Sequence, residues 1–136
     1  MEVLKTGRYQ IEVHKEQAVL YHYTDAEKME SIRKKGILPS AFGDLDIDGV
    51  IGTEDGSGVY AVAKETGHDA LVGSMKLDGS KVVIVKFLSC GTWYKVIHDY
   101  AVEYYDEDED EPIDHRGYVL HPSRVPPANI LGSHPV

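Results

Sequence analysis

Hydrophobic residues alternate with polar ones, or gather into short β-branched runs, in segments that recur along the whole chain. Both patterns are typical of β-strands, because successive side chains of a strand point to opposite faces of a sheet. The strongest run is KVVIVKFL, Lys81–Leu88, which we expect to form a central strand. The segments predicted as strands are Arg8–Val13, Ala18–Tyr23, Gly58–Val62, Lys81–Leu88, Thr92–Ile97, Arg116–His121 and a final edge strand, Asn129–Leu131.

A short helix is predicted directly after the second of these strands. Thr24-Asp25-Ala26-Glu27 matches a capping box, in which Thr24 caps a backbone N–H and Glu27 reaches back. Gly36 suits the left-handed conformation at which such a helix ends. Glu65–Met75 has weaker helical character, because two glycines interrupt it. Roughly six or seven strands and two short helices predict an α+β fold with a mostly antiparallel sheet.

The length of 136 residues predicts a single domain, 1–136. The net charge of −9 is concentrated, since Asp106–Glu111 is a run of six acids that leaves −3 for the rest of the chain. Like charges repel, so we expect a mobile acidic loop at 106–111. A mildly acidic remainder argues against nonspecific binding of nucleic acid. No apolar run approaches the length of a membrane span, and no signal peptide is recognisable, so no membrane partner is expected.

Several common kinds of site are not supported by the sequence. The glycine patterns of Rossmann and P-loop nucleotide sites are absent. The single cysteine, Cys90, and seven histidines without helical metal-ligand spacing give no basis for a metal site. Asp44, Asp46 and Asp48 resemble the start of a calcium loop, but the twelfth position holds Asp55 where glutamate is usual. We therefore expect chemistry that needs no metal.

The stretch LYHYTD places candidate chemistry at the end of a predicted strand. His22, Tyr23 and Thr24 bring an imidazole, a phenol and a hydroxyl to the strand terminus, where a cleft often opens. Each has an alternative explanation: His22 as a structural histidine bonded to a neighbouring carbonyl, and Thr24 as a helix cap. Tyr60, in a later strand, could likewise be an ordinary aromatic residue of a half-buried sheet.

Three elements in this order resemble the ADP-ribosyltransferase superfamily, on the His-Tyr-acidic branch of diphtheria toxin and the poly-ADP-ribose polymerases. They are YHYTD with its helix and KKGILPS, then GVYAV after a glycine turn, then GYVLHPSRVPPANIL. The sequence looks most similar to bacterial toxins of this superfamily that carry a His-Tyr-Asp signature. The resemblance covers about Leu20 to Leu131 and implies an ADP-ribosyltransferase-like fold with a split, mostly antiparallel sheet.

The resemblance also implies NAD as the substrate and assigns roles to individual residues. His22 would bind the adenosine ribose, the main chain of Tyr23 the nicotinamide amide, and Thr24 nearby ribose hydroxyls. Tyr60 would stack on the nicotinamide ring, so we expect the rings of His22 and Tyr60 to face each other across one groove. The catalytic residues would then be His22, Tyr60 and an acid. The predicted cofactor-binding set also contains Ser40 and Gly58.

The acidic residue of the signature is the least defined part. The family places it at or just before the last catalytic strand, which here begins Arg116-Gly117-Tyr118 without a carboxylate. Asp114 lies just upstream and is the first candidate, and Glu103 is the second. A missing acid would leave an NAD binder, a slow transferase or a different chemistry.

The sequence therefore predicts a mono-ADP-ribosyltransferase-like toxin or effector domain that cleaves the nicotinamide–ribose bond of NAD. The acceptor of ADP-ribose would be protein, nucleic acid or water, and a cognate inhibitor protein is a possible partner. The site of action would be cytoplasmic, after secretion or delivery from another cell. Two alternatives on the same fold stay open: an RNA 2′-phosphotransferase-like enzyme, and a non-catalytic module that binds ADP-ribose or a protein.

Overall fold

The computed structural model describes residues 2–41, 57–63, 82–103 and 116–135. Antiparallel strands dominate these ranges, and two short helices accompany them. The strands are β1 (Glu2–Lys5), β2 (Tyr9–His14), β3 (Val19–Asp25), β4 (Ser40–Ala41), β5 (Ser57–Val62), β6 (Val82–Leu88), β7 (Trp93–Asp99), β8 (Tyr118–His121) and β9 (Ile130–Pro135). The helices are α1 (Met29–Lys35), the single turn α2 (Tyr100–Glu103), and the 3-10 turns Ala26–Lys28 and Pro127–Asn129.

The strands form one sheet in the order β1-β2-β7-β8-β5-β3-β6-β9, with β4 pairing β5 beside this path. All described strand pairs are antiparallel. A mostly antiparallel sheet with short helices is an α+β arrangement, so the predicted fold class is confirmed at this level. The strand predicted at Lys81–Leu88 is an interior strand, since β6 pairs with β3 on one side and β9 on the other, but it lies beside the edge strand and not in the middle of the sheet.

Side chains on the two faces of the sheet pack into separate clusters. One cluster joins Leu20 of β3 and Val59 of β5 to Ile32 of α1, and we call this side of the sheet the α1 face. Residues that alternate with these, such as Tyr23 and Tyr60, belong to two other clusters. This segregation follows from the two-residue period of a strand.

The transition from β3 to α1 differs from the predicted capping box. The strand continues through Thr24 to Asp25, because both residues pair with β6 and keep their backbone extended. The turn Ala26–Lys28 follows, and the N-cap residues, Asp25 for the turn and Lys28 for α1, make no side-chain capping hydrogen bond. The predicted end at Gly36 is confirmed: its φ is 79°, and its N–H donates to the Ile32 carbonyl.

Four sequence predictions lie outside the described residues. They are the second helix at Glu65–Met75, the possible calcium loop from Asp44, the acidic loop at 106–111 and the candidate acid Asp114. Among the helices that are described, none has the length and apolar character needed to cross a bilayer.

Candidate functional site

The candidate site lies where strands β3 and β5 separate. All seven residues of β3 pair with β6, but only Tyr21 pairs with β5, opposite Val62. Beyond that pair, towards the end of β3, the two strands share no further ladder positions. We call this region the β3–β5 split. Buried backbone groups that lie outside a strand ladder are normally satisfied by side chains, water or ligands.

A histidine side chain occupies the first part of the split. His22 Nδ1 lies 2.7 Å from the carbonyl oxygen of Tyr60 on β5. A carbonyl oxygen can only accept, so Nδ1 carries the proton and donates it. In the neutral ring Nε2 is then an acceptor, and it has no hydrogen-bond partner among the described residues. His22 therefore links the two strands with one nitrogen and leaves the other available.

Burial keeps this imidazole neutral. His22 is half-buried, and desolvation lowers the pKa of its ring below the ordinary value of 6.5. The bond to the Tyr60 carbonyl acts in the opposite direction, whereas the positive charge of Lys28 lowers the pKa further. At neutral pH Nε2 is therefore an acceptor suited to an O–H or N–H of a ligand.

Thr24 supplies a second available polar group beside His22. The two residues are two positions apart on β3, so alternation places both side chains on the α1 face with Leu20. Thr24 is only 4% exposed, yet its hydroxyl makes no hydrogen bond within the described chain. A buried hydroxyl without a partner costs about 1–3 kcal/mol. A water molecule or a ligand that reaches this hydroxyl would supply the missing hydrogen bond.

Tyr60 contributes to the split through its main chain and not through its ring. Its phenol is 7% exposed and packs with Ile11, Val96 and Leu120. The expectation that the rings of His22 and Tyr60 face each other is wrong, because alternation turns the Tyr60 side chain away from the α1 face. The two residues are in contact through the His22 ring and the Tyr60 carbonyl. This contact depends on the pairing of two strands that are distant in sequence.

The structure describes three further residues of the predicted cofactor-binding set: Tyr23, Ser40 and Gly58. Tyr23 is buried and pairs with Ile84 of β6. Gly58 pairs with Ser40 of β4. A Cβ at Gly58 would collide with the Leu120 side chain, so this glycine has a packing role.

The two candidate acids are not brought to His22 within the described residues. Asp114 lies outside those residues, and Glu103 is the last residue of α2, which follows β7. Strand β8 separates β7 from β5, which places α2 away from the split in the strand order. The described start of β8 is Arg116-Gly117-Tyr118 and carries no carboxylate.

A cysteine–histidine contact that the sequence did not suggest occurs at the end of β6. Cys90 Sγ lies 3.7 Å from His121 Nε2, but the same nitrogen accepts the Cys90 backbone N–H at 3.0 Å. His121 Nδ1 donates to the Ser123 carbonyl at 2.7 Å. Burial also raises the pKa of the Cys90 thiol, which favours the unreactive form. This contact is structural, because both ring nitrogens of His121 already have hydrogen-bond partners and neither is free to take the thiol proton.

Other site types find little support in the described structure. Within the residues described, no group of three or more His, Cys, Asp or Glu side chains is placed to hold a metal ion. A surface cavity of about 380 Å³ is lined by Glu2, Val13, Lys15 and Glu16, and none of the predicted site residues that the structure describes lines it.

Comparisons with known proteins leave the site to be interpreted from its own geometry. The chain matched no protein-family model, and searches of curated proteins and of solved structures found no similar protein.

Proposed function

We propose that this chain is an NAD-dependent mono-ADP-ribosyltransferase-like domain. It would cleave the bond between nicotinamide and ribose and transfer ADP-ribose to an acceptor or to water. The observation that carries the proposal is a pair of polar groups on the α1 face of β3 that have no hydrogen-bond partner among the described residues: the acceptor Nε2 of His22 and the buried hydroxyl of Thr24.

These two groups suit the hydroxyls of a ribose. A neutral imidazole nitrogen accepts a hydrogen bond from one ligand hydroxyl, and a threonine hydroxyl can donate to or accept from a neighbouring one. Neither group carries a charge at neutral pH, so the pair favours a polar, uncharged part of a ligand. Two Cα atoms two residues apart in a strand are separated by about 6.6 Å, a spacing that a sugar can bridge.

The proposed chemistry requires positioning and electrostatic stabilisation. The glycosidic C–N bond breaks with its electron pair leaving on nicotinamide, and the ribose carbon becomes an oxocarbenium ion. An acceptor hydroxyl, amine or water then attacks this carbon and loses a proton. Holding the ribose between His22 and Thr24 restricts its orientation, and a nearby carboxylate would stabilise the cation. Asp114 remains the first candidate for that carboxylate, and Glu103 the second.

A non-catalytic ADP-ribose-binding module is the second candidate, because no carboxylate is present at the described start of β8. The RNA 2′-phosphotransferase alternative has less support. It needs arginines free to grip phosphate, and Arg8 instead forms an ion pair with the buried carboxylate of Asp99 at 3.2 Å. The role as a delivered bacterial toxin or effector with a cognate inhibitor belongs to the main proposal and comes from the sequence resemblance.

The test is the release of free nicotinamide from NAD by purified protein, with and without candidate acceptors. We expect turnover by the unmodified chain and a loss on the order of 10- to 100-fold in His22→Ala, the cost of one or two hydrogen bonds to the ribose. His98→Ala, on β7, is the matched control. Binding of ADP-ribose without nicotinamide release would identify the non-catalytic module. Absence of both NAD cleavage and ADP-ribose binding would contradict the proposal.

A further inference from the structure

His14, the last residue of β2, has a carboxylate oxygen beside each of its two ring nitrogens. Nδ1 lies 2.7 Å from Oε1 of Glu16, in the connection between β2 and β3, and Nε2 lies 3.0 Å from Oε1 of Glu12 on β2. The hydrogen bond to His14 lowers the pKa of the Glu16 carboxyl, so this group is an ionised acceptor at the pH values at which histidines change charge. Two ionised carboxylates can both accept from one ring only when it is an imidazolium, with a proton on each nitrogen.

The imidazole of His14 is held firmly at this position. Its side chain is 11% exposed and stacks on Trp93 of β7, with the ring centroids 4.1 Å apart and the ring planes 10° from parallel. The stacking fixes the plane of the imidazole, so both nitrogens keep their directions towards Glu12 and Glu16 whatever the charge of the ring.

Further charged residues at this end of β2 lie on each neighbouring element. Lys15 directly follows the ring in the connection, Lys95 of β7 lies opposite Glu12, and Glu2 of β1 lies opposite Val13. Alternation turns Glu2 to the other face of the sheet, whereas Lys95 shares the face of the ring. The positive charge of Lys95 therefore helps to hold the Glu12 carboxylate on β2.

The two carboxylates differ in their access to water. The side chain of Glu16 is 64% exposed, whereas that of Glu12 is 24% exposed. A neutral imidazole keeps one N–H and presents a lone pair to the other carboxylate, which repels it. Releasing Glu16 into water costs less than leaving the poorly hydrated Glu12 without a donor. The neutral ring should therefore keep its proton on Nε2.

We propose that His14 is a proton-dependent latch for the connection between β2 and β3. The protonated ring holds the Glu16 carboxylate against the end of β2, and the neutral ring retains Glu12 and releases Glu16. Glu16 also lines the surface cavity of about 380 Å³, so its release changes the charge at the wall of that cavity. The main chain stays anchored, because Trp93 Nε1 donates to the Glu16 carbonyl at 3.0 Å.

The first measurement uses the fluorescence of Trp93, which is the only tryptophan of the chain. A protonated imidazole in contact with an indole quenches its emission, so the emission should rise in one step as the pH increases between about 5 and 8. His14→Gln should abolish this step. His98→Gln is the matched control and should keep it, because the His98 ring contacts Tyr100.

The second measurement follows the His14 ring of the unmodified chain by ¹⁵N NMR and the Glu16 carboxyl by ¹³C NMR over the same pH range. We expect both nitrogens to be protonated at the acidic end, only Nε2 at the basic end, and the Glu16 resonance to shift in the same step. A neutral ring protonated on Nδ1 would overturn the proposal, because it would retain Glu16 and release Glu12. A Glu16 resonance that does not follow the ring, or a fluorescence step that is absent or persists in His14→Gln, would overturn it as well.

Discussion

The imidazole of His22 donates from Nδ1 to the carbonyl oxygen of Tyr60 at 2.7 Å, at the position where the ladder between β3 and β5 ends. This contact replaces a backbone hydrogen bond with a side-chain one and fixes the neutral tautomer of the ring. It also directs the other ring nitrogen, Nε2, away from Tyr60. The candidate site thus forms where the pairing of β3 with β5 ends.

The stability of the fold should depend on pH through His22. Burial holds the pKa of His22 below 6.5, so near that pH the unfolded chain binds a proton that the folded chain does not. The stability gained from the neutral imidazole is complete above pH 6.5 and decreases as the pH falls below it. Urea unfolding at a series of pH values should therefore show a steeper loss of stability on acidification in the unmodified chain than in His22→Gln.

The other histidines are present in both chains, so the difference between the two curves isolates His22. Parallel curves between about pH 7 and 5 would show that burial does not shift this group. Lys28→Ala should raise the pKa of His22, because it removes a positive charge that opposes protonation. Titration of the ring resonances by NMR measures that change directly.

Tyr60 should be substituted conservatively, because its ring is part of the core. Tyr60→Ala would leave a cavity next to Ile11 and Leu120 and should destabilise the fold by about 3–5 kcal/mol. Tyr60→Phe keeps the ring in the core and the main-chain carbonyl that His22 contacts, so it should retain the fold and most of the turnover. Melting temperature and nicotinamide release are measured together. A folded Tyr60→Phe without turnover would contradict the conclusion that Tyr60 acts through its main chain.

The identity of the acid can be tested with two charge-removing substitutions. Asp114→Asn should reduce nicotinamide release by about 10²-fold, the usual effect of removing one group that stabilises the transition state. Glu103→Gln should have little effect, because α2 follows β7, which is separated from β5 by β8. The reverse result would move the acid to Glu103. Full activity in both variants would contradict each assignment.

The local pattern was sufficient to predict most strands and their boundaries. Alternation and β-branched runs predicted seven of the described strands within a few residues, including β6, but not its position beside the edge. Two strands were missed: β1, because Glu2–Lys5 is short and mostly exposed without a clear apolar alternation, and β4, because Ser40–Ala41 has only two residues. The fold class follows from such local signals, whereas the strand order depends on contacts between distant segments.

The site could be predicted only in part for the same reason. The residues of LYHYTD were recognisable, but the capping box was a misleading local match, since pairing with β6 keeps Thr24 in the strand. The contact between His22 and the Tyr60 carbonyl requires the register of β3 against β5, which neither segment encodes alone. The burial of the Thr24 hydroxyl without a described partner is likewise a property of the packed sheet.

Thr24→Val provides the most direct test, because valine keeps the shape of the side chain and removes only the hydroxyl. If that hydroxyl exists to bind a ligand, the variant should melt at a higher temperature by roughly 2–8 °C, because a buried group without a partner has been removed. The same variant should bind NAD about 5- to 100-fold more weakly, and Thr24→Ser should retain affinity. A Thr24→Val protein that binds NAD as tightly as the unmodified chain would contradict the account.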